Sequence, residues 1–327
     1  MKRAALALSA FALALVAWPG VATNAGATYR GSVSPVTRVW TEPAAGYGFL
    51  DSAILHARRS IDLSLYELSD PTIERDLIAR ARAGVLVRVL LNADYYGREE
   101  NTAAASTLEA GSVHVAWAPA GTIFHAKYVV VDGDAAYVGT GNLVASDYPS
   151  TRDFWVETTD GSDVAAITAT FGSDFEHRSV APVGAQGLLW SPGSTTVLVG
   201  LINSATHSLL VENEEMDNAT IEAALSRAVA RGVEVKVVMT YSSEWTGALD
   251  RLARAGVEVA TLGPSQLYIH AKVICADCSA GGGTVFIGSE NFSTASLDYN
   301  RELGLITATP VAVSAVEAAV SGDYARR

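Results

Sequence analysis

Phe124-His125-Ala126-Lys127-Tyr128-Val129-Val130-Val131-Asp132 is followed shortly by Gly139-Thr140-Gly141-Asn142. The same text returns as Ile269-His270-Ala271-Lys272-Val273-Ile274-Cys275-Ala276-Asp277, followed by Gly288-Ser289-Glu290-Asn291. Each copy reads His-x-Lys-x4-Asp and then Gly-[Ser/Thr]-x-Asn. Side chains alternate between faces along an extended strand, so His125 and Lys127 share a face, as do His270 and Lys272. The neighbouring residues are apolar and mostly β-branched, as a buried strand requires. A histidine and a lysine on such a strand are costly to bury without an anionic partner. A single copy would pass for an ordinary hydrogen-bonded histidine; two copies at identical spacing do not.

Working outward, the chain is a tandem repeat. Residues 60–67 alternate as a strand. Asp70-Pro71 then supplies an N-cap and a first-turn proline, and Ile73, Leu77, Ile78 and Ala81 sit at helical spacing up to Gly84. A strand over 85–91, a helix over 102–110 and a strand over 113–117 precede the first motif. The second half repeats this order over 208–215, a helix lined by Ile221, Leu225 and Val229, then 233–239, 246–255 and 257–261. His125 and His270 lie 145 positions apart, as do Lys127 and Lys272. Asp153 follows Asn142 by eleven positions, and Glu302 follows Asn291 by eleven. Helices over 163–175 and 311–324 close the halves. Strands alternating with helices predict an α/β fold, two lobes related by a pseudo-two-fold axis, each with a mostly parallel mixed sheet flanked by helices. The Gly- and Pro-containing stretch 179–193 marks the boundary, giving a first lobe over 28–185 and a second over 186–327.

Composition narrows the class. The chain has 327 residues, 49% of them hydrophobic and 18% charged, which suits a packed globule and not a disordered chain. The formal net charge is -12, which weighs against a polyanionic nucleic-acid partner, although a cleft can still focus positive charge. Met1-Lys2-Arg3, a short apolar run and Ala25-Gly26-Ala27 have the layout of a cleaved signal peptide over 1–27. The apolar run is shorter than the ~20 residues a membrane span takes. A secreted protein is therefore expected. Cys275 and Cys278 are the two cysteines. Too few for a zinc site and not opening a helix, they favour a small local disulfide.

Brought together about a two-fold axis, the motifs would supply two imidazoles, two ammoniums, the carboxamides of Asn142 and Asn291, and the hydroxyls of Thr140 and Ser289. Such donors suit a phosphoryl group. The carboxylates are too scattered for an oxygen cage, so no metal and no cofactor is expected. One histidine must be neutral to attack phosphorus and the other protonated to release the alkoxide. A carboxylate on the far ring nitrogen would orient each. Asp153 and Glu302 are the candidates, the alternative being strand-end salt bridges with Arg152 and Arg301. Asp132 and Asp277 are as well suited to turn-capping as to catalysis. Tyr95, Tyr96, Tyr241 and Trp245, on loops leaving strand ends, suit either a lipid interface or choline-like group, or plain loop packing.

The doubled motif resembles the phospholipase D superfamily over essentially the whole chain after residue 27. The resemblance implies a bilobal α/β sandwich with one site between the lobes and a covalent phosphohistidine. It implies His125 as nucleophile, His270 as acid and then base, and Lys127, Lys272, Asn142 and Asn291 on the phosphate oxygens. Thr140 stands where the family usually has Ser, and four extra residues between Asp277 and Gly288 lengthen a hairpin. The expected activity is hydrolysis of glycerophospholipid head groups by a secreted phospholipase D, with a phospholipid or membrane surface as partner and no obligate protein partner. The alternatives are a secreted nuclease or other phosphodiesterase, and a phosphatidyl transferase. A catalytically dead binding protein would be expected to have lost one motif.

Overall fold

The computed structural model describes residues 31–280 and 282–327; the expected signal peptide lies outside them. Two seven-stranded sheets, with three two-stranded ones beside them, make up the β-structure of the described residues. The first runs, edge to edge, Arg38–Thr41, Phe154–Thr158, Ala135–Gly139, Tyr128–Val131, Ser60–Leu65, Leu86–Leu91, His114–Trp117. The second repeats this order with Leu188–Ser191, Glu302–Thr307, Thr284–Gly288, Val273–Ala276, Ser208–Glu212, Glu234–Thr240 and Glu258–Leu262.

The sheets are mixed, but their parallel part is the smaller one. Only the last three strands of each order run parallel; the other four join antiparallel. The cause is local. After Val131 the chain reverses through Asp132 and Gly133, at φ 56° and 68°, and a tight reversal can return only an antiparallel neighbour. Asp132 anchors this turn by accepting from the backbone N–H groups of Arg58, Arg59 and Ser60 at 2.6–3.0 Å. Asp277 does the same with Thr206, His207 and Ser208. Burial would raise either carboxyl, yet these N–H groups hold both below the usual carboxylate range. Of the two roles open to the motif aspartates, the structure supports turn-capping. The edge strands Arg38–Thr41 and Leu188–Ser191, and the helices Gly48–His56 and Thr195–Ser204, were not foreseen, because each is short and lies outside the repeat as read.

Helix starts follow the sequence. Asp70 accepts from the N–H of Thr72 at 2.7 Å, and Asn218 from that of Thr220 at 3.0 Å, satisfying donors the helix leaves open. Three apolar layers result. Outer layers lie under Leu50, Ile54, Ile73 and Leu77 in the first lobe and Leu198, Ile202, Ile221 and Leu225 in the second. A central layer is shared, joining Val130, Val138, Ile167 and Phe171 to Val273, Ile287, Val316 and Val320. Each such side chain contributes about 1.5–3 kcal/mol on burial. The closing helices Gly161–Phe175 and Pro310–Tyr324 pack into this shared layer.

The lobes also exchange charge. Arg152 forms a buried bidentate pair with Asp323 of the second lobe's closing helix, at 2.5 and 3.1 Å. Arg301 reaches Asp174 of the first lobe's closing helix at 3.2 Å. Removing one partner of a buried pair leaves an uncompensated charge, at about 3–5 kcal/mol. Asp323→Ala is therefore expected to lower unfolding free energy by that order, read as a shifted denaturant midpoint. An unchanged midpoint would show that the pair does not join the lobes.

Candidate active site

Each motif histidine lies just before its strand, not within it. His125 to Lys127 form an extended lead-in to Tyr128–Val131, and His270 to Lys272 a lead-in to Val273–Ala276. The lead-ins begin by pairing with the opposite lobe and rejoin their own sheets only at the Lys127 and Lys272 carbonyls, which accept from the Gly139 and Gly288 N–H groups. The N–H groups of His125 and Ala126 both donate to the Arg301 carbonyl, at 2.9 and 3.0 Å. On the other side Tyr268–Ile269 pairs in parallel with Thr151–Arg152, and the His270 N–H donates to the Arg152 carbonyl at 3.2 Å.

This exchange places each acid on the other lobe's histidine. Glu302 accepts at 2.8 Å from Nδ1 of His125, and Asp153 at 2.9 Å from Nδ1 of His270. With Nδ1–H held by a carboxylate, Nε2 is the nitrogen each ring leaves for other partners. The alternative of strand-end salt bridges is set aside, since Arg152 and Arg301 turn to the closing helices. Thr140 and Ser289, expected at the phosphate, stand behind the acids instead. Thr140 Oγ1 donates to Asp153 at 2.6 Å and Ser289 Oγ to Glu302 at 2.6 Å. Each hydroxyl also accepts a backbone N–H, from Phe154 or Leu303, so its one donor is spent, and it is fully buried. Gly141 is required here, because a Cβ would lie 2.6 Å from the Asp153 carboxylate.

Both histidines open onto one cavity of about 590 Å³, lined also by Asn142, Asn291, Asp153 and several tyrosines and carboxylates. Both lysines sit behind this wall, fully buried. Lys127 Nζ donates to the His125 carbonyl at 2.5 Å and lies 5.2 Å from the Tyr66 ring centre. Lys272 Nζ donates to the His270 carbonyl and pairs with Glu214 at 3.0 Å. Burial pushes the Lys127 ammonium down to about 7; Glu302 opposes this and Lys272 adds to it. Burial likewise lowers His125 to about 4 against the pull of Glu302, keeping the ring neutral across the ordinary pH range. Glu302 itself would be raised by burial, but His125, Lys127 and Ser289 hold it ionised below its ordinary value.

Glu67, Glu215, Tyr66, Glu214 and Tyr268 were missed in the sequence. Asn142 Nδ2 donates to Glu67 at 3.4 Å and Asn291 Nδ2 to Glu215 at 3.0 Å. An amide nitrogen carries two N–H groups, so one remains for a ligand oxygen. A usable sign existed: Glu67 and Glu215 each stand three residues before a helix N-cap, Asp70 and Asn218. Of the loop aromatics, Tyr95 lines the cavity, Tyr96 and Tyr241 are exposed, and Trp245 packs on the second lobe's outer layer. Cys275 and Cys278 are joined by a disulfide, with Cα atoms 5.8 Å apart. Among the described residues no group of three or more His, Cys, Asp or Glu is arranged to hold a metal ion, and no helix is long and apolar enough to cross a membrane.

The model of a family described as cardiolipin synthase, PLD-like domain, matches residues 50–177 and again 198–324. Cardiolipin synthase A of Pseudomonas syringae pv. syringae is 26% identical over 327 residues, covering 85% of this chain and 66% of that protein. Cardiolipin synthase A of Pseudomonas aeruginosa is 27% identical over 62% of this chain and 46% of its own length. The chain thus spans between about half and two thirds of these curated relatives. Among solved structures, phosphatidylserine synthase of Haemophilus influenzae superposes with a TM-score of 0.65 at 11% identity, over 90% of this chain and 88% of that one, which speaks for the fold alone. The chain belongs to the phospholipase D superfamily, with a phospholipase D-like domain of the cardiolipin synthase kind in each lobe.

Proposed function

We propose that the protein transfers a phosphatidyl group from a phospholipid to an alcohol through a covalent phosphohistidine. The observation that carries this reading is the pair of histidines on one cavity, each held at Nδ1 by the other lobe's acid. In the first step Nε2 of neutral His125 attacks phosphorus, and protonated His270 gives its proton to the departing alkoxide. In the second step His270, now neutral, takes the proton of the incoming alcohol as its oxygen attacks phosphorus. The bond to His125 then breaks and both groups are restored. Asn142 and Asn291 donate to the non-bridging oxygens, and Lys127 and Lys272 supply positive charge from behind the cavity wall. The choice of an alcohol over water draws on the cardiolipin synthases the chain is similar to. A lipid in preference to a polynucleotide is supported by the cavity wall, where Glu67, Asp147, Glu214 and Glu215 stand among tyrosines and would repel a run of phosphates.

Hydrolysis shares the intermediate, and one assay separates the outcomes. Vesicles of phosphatidylglycerol and phosphatidylcholine are incubated with the protein, with and without added glycerol or ethanol, and the lipids read by mass spectrometry. A phosphatidyl alcohol is expected. Phosphatidic acid alone would make the protein a hydrolase, and cleavage of single-stranded DNA without any lipid product would overturn the lipid reading. His125→Ala is expected to abolish turnover; near-normal activity in it would remove the mechanism.

We also propose that the chain is exported, supported by the Cys275–Cys278 bond, since such bonds persist in oxidising compartments. N-terminal sequencing of the protein from culture medium should begin near residue 28, and an intact N-terminus retained in the cytoplasm would contradict this.

The buried lysine sets a further expectation. With Lys127 lowered to about 7, an oxyanion that binds above that pH must bring a proton with it. Affinity for tungstate should therefore fall as pH rises past about 7, by up to about tenfold per unit, and this limb should flatten in Lys127→Met. A slope identical in both proteins would show that Lys127 does not meet the anion.

A further inference from the structure

The two halves of the site are not equivalent at Nε2. Tyr66 and Glu214 stand at matching positions, each four residues before a helix N-cap. Beside His125 the tyrosine ring lies 4.8 Å away, centre to centre, and covers Lys127. Beside His270 the glutamate takes that place. Its Oε2 lies 3.5 Å from His270 Nε2 and 3.0 Å from Lys272 Nζ, while Oε1 accepts from the Tyr268 hydroxyl at 2.8 Å. We propose that Glu214 is a positioning residue that holds a proton on Nε2 of His270, and thereby makes His270 the acid and leaves His125 as the nucleophile. The inference rests on the phosphodiester chemistry above and adds to it the residue that breaks the symmetry.

The charges around each ring support it. His270 is faced by Asp153 and Glu67 from the first lobe and by Glu214, Lys272 and Tyr268 from its own. His125 is faced by Glu302 and Lys272 from the second lobe and by Lys127 and Tyr66 from its own. Carboxylates dominate the first set and ammoniums the second. Opposite charge favours an imidazolium and like charge disfavours it. Burial alone would raise Glu214, but His270, Lys272 and the Tyr268 hydroxyl hold it ionised, so the anion is present to do this. Asp153 cannot make the distinction, because Glu302 occupies the same place on His125.

The test joins titration to leaving-group dependence. NMR of the imidazole Cε1–H groups should show His270 titrating above His125 in the wild-type protein. Glu214→Gln should lower the His270 midpoint by about one unit or more and leave that of His125 nearly unmoved. Turnover should fall about 10²-fold on dihexanoyl phosphatidylcholine, whose alkoxide needs a proton. On phosphatidyl-p-nitrophenol, whose phenolate leaves unaided, the loss should stay below about tenfold. Tyr268→Phe keeps the carboxylate but frees it, and should shift the His270 midpoint the same way by less. Equal losses on both substrates with no shift would overturn the proposal, as would His125 titrating above His270 in the wild type. If the wild-type protein cleaves neither lipid, the proposed function fails, and the two titrations still decide this point.

Discussion

The site depends on one exchange of backbone hydrogen bonds. The Arg301 carbonyl takes the N–H groups of His125 and Ala126, and the Arg152 carbonyl takes that of His270. In each lobe the residue after that arginine is the acid, and the arginine side chain runs to the other lobe's closing helix. One dipeptide thus docks the lobes, pins a histidine lead-in by its main chain and delivers the carboxylate to its ring. A shift of either lobe by one residue would undo all three together. Neither lobe alone holds a histidine with its orienting acid.

Much of this was legible because duplication writes the same constraint twice. The repeat of His-x-Lys-x4-Asp, Gly-[Ser/Thr]-x-Asn and the acid eleven residues on identified the histidines, the lysines, Asp153 and Glu302. The order of strands and helices followed from periodicity and from the cap at Asp70. What was not legible is what spacing along one chain cannot encode. Nothing within either repeat says that an acid serves the opposite lobe. The mixed sheet was read as mostly parallel because the strand–helix alternation dominates the first part of each lobe. The reversal at Asp132 or Asp277 leaves only a short, polar trace.

The hydroxyls of Thr140 and Ser289 make the same point at the level of single atoms. A hydroxyl just past a strand end, in a motif whose donors suit a phosphoryl group, reads as a phosphate ligand. Its actual neighbours are a carboxylate oxygen and a backbone N–H, and its one donor is spent on the carboxylate. Aimed at an acid that aims at a histidine, each hydroxyl fixes the carboxylate rotamer. Thr and Ser serve equally there, which accounts for the difference between the two copies.

The charge balance of the cavity explains why the lysines are buried and still useful. Each ammonium is kept out of water behind a histidine lead-in, with its own carbonyl as one acceptor. Lys272 has Glu214 as a counter-ion, whereas Lys127 faces a tyrosine ring and is lowered toward neutrality. A buried charge without a full counter-charge raises the free energy of the free protein. On the proposed chemistry, a phosphodiester would bring the missing negative charge and so satisfy the lysine that folding left short. Binding then favours an anion at that spot over a neutral ester of the same shape, by an interaction that a low-dielectric surround strengthens. The Lys127 ammonium is thus a buried positive charge set behind an acidic cavity wall, inside a chain whose overall charge is strongly negative.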